Sequence, residues 1–294
     1  MRRLGSSCHP LVMLRYVAAL ALVLLGVTAC QDKDLTTPPD GGLDYVAIGD
    51  SFTAAPGIPT ISNQACKRSD HNYPHLVAKQ LQDVTLTDVS CGGARTGAVL
   101  RSQVQEATGV VQPPQISAIT ENTDLVTVGL GVNDDGFAFT SVLGCSLLRR
   151  VDPQGAPCKA ANEDRVPGQL KGIERRLVEA VAAIANRAPN ARILVVGYPR
   201  LLPDSGSCPR RFPLADGDVA FVRDSYNQLI DTIEAAAAEA GVEYVDVAAA
   251  SEGHDICSDD PWINGQDASK GMGAAFHPTP AEQQAVARLI LKGL

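Results

Sequence analysis

The pattern of this chain predicts an α/β protein, a doubly wound sandwich in which helices cover both faces of a parallel sheet. Two observations carry that expectation. Short apolar runs recur along the chain, and between them lie longer segments with an apolar residue at every third or fourth position. Runs apolar throughout are what strands become when both faces of a parallel sheet are covered. They are read at Tyr45 to Ile48, Val84 to Val89, Leu125 to Leu130, Ile193 to Gly197 and Val242 to Val247. Helices are read where Leu170, Ile173, Leu177, Val181 and Ile184 share one face, and where Leu229, Ile230, Ile233 and Ala237 share another. A shorter helix carries Tyr73, Leu76 and Leu81 as core, with His71 and His75 at its start as surface or satisfied structural residues. The last helix carries Val286, Leu289 and Ile290, and its start is marked by Thr279, Pro280 and Glu282 in the spacing of a capping box. Cys145 to Asn162 is the main irregular insertion, and no repeat of fixed period is visible.

Residues 1–29 read as an export signal. Arg2 and Arg3 precede an apolar run from Tyr16 to Ala29 that is too short to span a bilayer comfortably. The sequence Val27-Thr28-Ala29-Cys30 is similar to the lipobox of bacterial lipoproteins, which makes Cys30 the expected site of lipidation and the new N-terminus; an ordinary signal peptide is the alternative. Residues 30–42 are polar with paired prolines and glycines, so they are expected to be a flexible tether, and the folded domain is placed at 43–294. The net charge is −8, and because the leader holds three arginines and no acid, the part beyond Ala29 carries −11. Such a balance disfavours nucleic acid and anionic membrane surfaces as partners, which leaves the N-terminal lipid as the expected membrane link. Beyond the leader, Cys66, Cys91, Cys145, Cys158, Cys208 and Cys257 form an even set in an exported chain. Disulfides are expected, whereas zinc would want paired ligands at close spacing, which are missing.

Doubly wound sheets place their sites at the carboxyl ends of strands. The first strand runs into Gly49-Asp50-Ser51-Phe52, where Ser51 is a candidate nucleophile, although Gly-Asp-Ser is also a common turn. Cys91-Gly92-Gly93-Ala94-Arg95-Thr96-Gly97 follows the second strand, and glycine there lets a backbone N–H approach a ligand. After the third strand comes Gly129-Leu130-Gly131-Val132-Asn133-Asp134, whose Asn133 could donate to an oxyanion or cap a helix. His277 stands at the entrance of the last helix, where a base could reach Ser51. His254 is read as structural and Trp262 as core or substrate wall.

Ser51, Gly93, Asn133 and His277, in this order at the ends of successive elements, resemble the four blocks of the SGNH or GDSL hydrolases. Cys66-Lys67-Arg68-Ser69, Gly197-Tyr198-Pro199-Arg200 and Gly253-His254-Asp255-Ile256-Cys257 are similar to its secreted bacterial branch with three disulfides. The resemblance implies a three-layer α/β/α sandwich with a parallel five-stranded, flavodoxin-like sheet and disulfides Cys66–Cys91, Cys145–Cys158 and Cys208–Cys257. It further implies Ser51 as nucleophile, His277 as general base and acid, and an oxyanion hole of the Ser51 N–H, the Gly93 N–H and the Asn133 side chain, with Gly92 as the alternative to Gly93. Phe52 replaces the leucine of the motif, and Val132 stands where a glycine often precedes the asparagine. Where the last block usually has Asp-x-x-His, this chain has Ala274, so a backbone carbonyl at Ala274 is the expected orienter of His277 in a Ser-His dyad. Asp255, Asp259, Asp260 and Asp267 are rivals for a triad. The implied activity is hydrolysis of acyl esters through an acyl-enzyme, by a monomer, without metal or organic cofactor. The expected substrate is an acyl ester, of a lipid or a small molecule; acetylated polysaccharides, phospholipids and thioesters are alternatives, and a non-catalytic surface binder is the different class.

Overall fold

The computed structural model describes Leu35 and residues 41–105 and 108–294. The signal segment, Cys30 and most of the tether lie outside the described residues. Five parallel strands form the central sheet: β1 Leu43–Gly49, β2 Val84–Asp88, β3 Leu125–Gly129, β4 Arg192–Val196 and β5 Glu243–Val245. Their spatial order is β2-β1-β3-β4-β5, the flavodoxin-like order, in which the winding reverses between β1 and β3. β3 is buried at every position, whereas the edge strand β2 alternates half-buried with exposed residues. The last strand is shorter than the apolar run predicts, because Val247 instead begins a short helix, Val247–Ala250, capped by Asp246.

Alternation along the strands divides the core in two. Val46, Ile48, Val126, Val128, Ile193 and Val195 face one side. There they meet two long helices, Val166–Arg187 and Asp218–Glu239, through residues such as Ile173, Leu177, Leu229 and Ile233. Tyr45, Ala47, Leu125, Leu194 and Val196 face the other side and meet the helices Tyr73–Ala78 and Pro280–Gly293. Leu35 is buried in this second cluster, so at least this residue of the segment read as a tether packs on the domain. Truncating a fully buried residue such as Leu177 or Ile233 to alanine is worth about 2–5 kcal/mol.

Two expectations need correction. The stretch Cys145 to Asn162 is largely helical, with helices Gly144–Leu148 and Pro157–Asn162. The capping box is only half made: Thr279 Oγ1 accepts the Glu282 N–H at 3.4 Å, but the Thr279 N–H donates to the Trp262 carbonyl. The Glu282 carboxyl is buried beside Gln283, and burial pushes its pKa up to about 8. The cysteines pair as Cys66–Cys91, Cys145–Cys158 and Cys208–Cys257.

Candidate active site

Ser51 begins α1, Ser51–Ala54, directly after β1. A Cβ at Gly49 would overlap the Thr53 side chain, so only glycine lets α1 turn back over the end of its strand. Asp50 caps α1 by accepting the Phe52 N–H at 2.8 Å. Its other oxygen accepts the Tyr198 hydroxyl at 2.7 Å, and the Tyr198 oxygen in turn accepts the Val132 N–H at 3.2 Å. Burial pushes Asp50 up to about 7, and the bonds from Tyr198 and Phe52 hold it from going higher. The Val132–Tyr198–Asp50 chain thus ties the loop after β3 to the helix that carries Ser51. Two glutamines brace the same turn. Gln115 brackets Gly49, accepting its N–H at 2.9 Å and donating to its carbonyl at 3.0 Å, and Gln283 donates to the Phe52 carbonyl at 2.9 Å.

The loop after β2 is clamped by the Cys66–Cys91 disulfide. The Gly92 N–H donates to the Cys66 carbonyl at 2.9 Å. Gly93, at φ +73°, donates its N–H to no acceptor among the described residues, so Gly93 rather than Gly92 keeps a free donor. Asn133 gives one amide hydrogen to the Ala94 carbonyl at 3.0 Å, which fixes the side chain and leaves its second hydrogen unspent. Asp134 locks the two loops together. Buried, it accepts the Thr96 N–H at 2.8 Å, the Thr96 hydroxyl, and Arg176 Nε at 2.8 Å.

His277 sits in a bent loop, since Phe276 has φ +59° and lays its ring 5.1 Å from Phe212. His277 Nδ1 lies 2.8 Å from the Ala275 carbonyl. The expected orienter, Ala274, is therefore off by one: its carbonyl accepts the His277 N–H instead, and its own N–H donates to Pro56. Asn264 holds the loop, both its N–H and its side-chain amide donating to the His277 carbonyl. None of the four rival aspartates contacts His277. Asp255 accepts the Cys257 N–H at 2.8 Å, Asp260 lies by His254, and Asp259 and Asp267 are exposed. Because a carbonyl can only accept, Nδ1 must carry the ring hydrogen and Nε2 is left with its lone pair. Burial, with Lys67 adding to it, lowers the His277 pKa against the opposing bond to Ala275, so the ring is neutral at pH 7. The imidazole is 6.0 Å from the Phe52 ring, whose edge meets Tyr198 at 5.0 Å.

Ser51, Gly93, Asn133, Ala274 and His277 all line one cleft of about 790 Å³ at the carboxyl edge of the sheet, over the β1/β3 reversal. His254 stacks on Trp262 at 4.7 Å, away from that cleft, so Trp262 is core rather than substrate wall. His75 is held by Asn72 at 2.6 Å and His71 by Asp70. Among the described residues no cluster of histidine, cysteine or carboxylate side chains could hold a metal ion.

Sheet order and cleft together define an SGNH-type hydrolase. The family model of GDSL-like lipases and acylhydrolases matches residues 47–285. Lipase 2 of Streptomyces coelicolor is 36% identical over 252 residues, covering 84% of this chain and 83% of that protein. Two crystal structures, an extracellular lipase of Streptomyces rimosus and phospholipase A1 of Streptomyces albidoflavus, each superpose with a TM-score of 0.69 at 29% and 28% identity. Each comparison covers 86% of this chain and 100% of the other. The chain belongs to the GDSL-like lipase/acylhydrolase family and is a carboxylic ester hydrolase; its three disulfides are the chemistry of an exported protein.

Proposed function

We propose that this enzyme cleaves acyl-lipid esters by a Ser51–His277 dyad. The Ser51 hydroxyl attacks the ester carbonyl carbon while His277 Nε2 takes its proton, and the carbonyl oxygen becomes an oxyanion. That oxyanion is held by the Ser51 and Gly93 N–H groups and the unspent amide hydrogen of Asn133. Collapse breaks the bond to the alcohol, which leaves with the proton from His277. Water then repeats the sequence on the acyl-enzyme and releases the acid. The observation that carries this reading is the gathering of Ser51, Gly93, Asn133 and His277 in one cleft, with the Ala275 carbonyl fixing the imidazole tautomer.

The acyl-lipid substrate is supported by apolar cleft walls, Val104, Phe139 and Leu143 among them, and by the lipase and phospholipase names of the relatives. We also assign the enzyme to the outside of the cell as a monomer, with Cys30 as its lipidated anchor, on the strength of the small residues before that cysteine. The test is Ser51→Ala with a fluorophosphonate label. Labelling should vanish, and turnover of p-nitrophenyl esters should fall at least a thousandfold while the protein stays folded. Hydrolysis within tenfold of wild type would refute the assignment.

A further inference from the structure

The cleft does not share the charge of the chain around it. The protein carries −8 in total, yet among the described residues the side chains lining the cleft include three cations, Lys67, Arg95 and Arg101, and no carboxylate. All three are exposed, and none makes an ion pair with a described residue. Three other arginines of the domain, by contrast, face acids: Arg68 lies near Asp88, Arg176 pairs with Asp134 and Asp135, and Arg200 with Asp204.

The mounting of these cations matters as much as their number. Lys67 follows the half-cystine Cys66, and Arg95 follows Ala94, whose carbonyl fixes Asn133. Arg101 lies over Gly97, its guanidinium 2.8 Å from where a Cβ would stand. Arg95 and Arg101 follow Gly93 in the connection after β2, and Lys67 stands on the loop that the Cys66–Cys91 disulfide ties to it. Val104, Phe139 and Leu143 line the cleft as well, and Val104 and Phe139 are 59% and 62% exposed. An ester that fits would carry an apolar chain and, close to the scissile carbonyl, an anion.

We propose that Lys67, Arg95 and Arg101 form a subsite for the phosphodiester of a phospholipid whose headgroup is net anionic. The proposal rests on the dyad reading above and names the substrate class for it. Guanidinium groups bind phosphate oxygens through paired charge-assisted bonds, and the ammonium adds a point charge. A zwitterionic headgroup also brings a quaternary ammonium, for which the described lining residues offer neither a carboxylate nor a cage of aromatic rings. The negative total charge does not oppose this at contact. Charges more than about 8 Å away are largely screened at physiological ionic strength, so the three local cations decide what settles against the cleft.

The test measures kcat/KM of the full chain on dioleoyl phosphatidylglycerol, dioleoyl phosphatidylcholine and dioleoylglycerol in the same neutral-detergent micelles, at one pH and ionic strength. Phosphatidylglycerol should exceed phosphatidylcholine by about tenfold. Lys67→Gln, Arg95→Gln and Arg101→Gln should each lower the ratio of phosphatidylglycerol to dioleoylglycerol by about tenfold, the loss of one charge-assisted contact. The ratio cancels any change in His277 basicity on removing Lys67, since both substrates use the same imidazole. Ratios unmoved in all three variants, or equal rates on the two phospholipids, would overturn the subsite. Inhibition of dioleoylglycerol cleavage by tens of millimolar inorganic phosphate, without preference for phosphatidylglycerol, would assign the cations to free phosphate and overturn the lipid reading. Failure of the dyad is separately visible, because Ser51→Ala would then still cleave all three lipids.

Discussion

Removing a single oxygen, in Tyr198→Phe, tests how the site is held together. The ring is completely buried and meets Phe52 edge-on at 5.0 Å, a contact that phenylalanine keeps, so only the hydroxyl is lost. That hydroxyl joins two buried groups, donating to Asp50 at 2.7 Å and accepting from the Val132 N–H at 3.2 Å. A buried polar group left without a partner costs about 1–3 kcal/mol, so the variant, with two such groups, should lose about 2–6 kcal/mol of stability. The loss should also depend on pH. The Tyr198 bond holds the Asp50 pKa down near 7, so removing it raises that pKa further. Below about pH 6 Asp50 is protonated in both proteins and the difference between them is smallest. As pH rises past 7 the wild type ionises while the variant still holds its proton, so the variant falls further behind. Buried Glu282 titrates in both proteins and cancels in the difference. Urea unfolding of wild type and variant at about pH 6 and pH 9 reads the effect. Unfolding free energies within about 0.5 kcal/mol at both values, or a gap larger at the lower pH, would refute the reasoning.

Asn133→Ala should lower kcat by about 10² to 10³ with little change in KM, because its free amide hydrogen meets charge present mainly in the transition state; a change confined to KM would assign it to substrate holding. Asp255→Asn should keep kcat within about tenfold, since Asp255 caps Cys257 and does not touch His277, whereas loss of a triad carboxylate costs about 10⁴. The pH–rate profile should fall on the acid side below the ordinary imidazole value of 6.5, because only neutral His277 is a base and its pKa is lowered. Lys67→Gln removes one cause of that lowering and should move the limb to higher pH; a limb that stays put would show Lys67 is too well solvated to act.

The parts of this molecule legible in its sequence are those written in local pattern. β1, β3 and β4 are buried on both faces and therefore appear as unbroken apolar runs, and the two long helices show their core stripe directly. Three of the four blocks were legible because each joins a strand end to a special residue type, and the His277 block because a marked helix start follows it. What escaped is long-range bracing by polar side chains. Gln115, Gln283, Asn264 and Tyr198 hold main chain far away in sequence, and nothing beside them marks that role. The shift from Ala274 to Ala275 has a similar cause: the left-handed Phe276 turns the peptide planes around it, and phenylalanine is not a residue that advertises such a bend. The insertion at 145–162 hid its helices because single turns are too short to show a period.

The order of strands has a consequence for when this hydrolase can first act. Ser51 stands on the first strand, which takes a central place in the sheet, while His277 arrives in the last connection, one helix before the C-terminus. β1 cannot be buried until β3, synthesised some seventy-five residues later, pairs beside it. His277 is held by Asn264 and precedes the helix Pro280–Gly293, whose Val286 and Ile290 share a core cluster with Tyr45 of β1. Under the proposed dyad, a chain released before residue 277 therefore carries Ser51 without His277, however much of the sheet has formed. Under that dyad, activity on refolding returns only when Ser51 and His277, 226 residues apart in sequence, have been brought to one cleft, a non-local and correspondingly slow event.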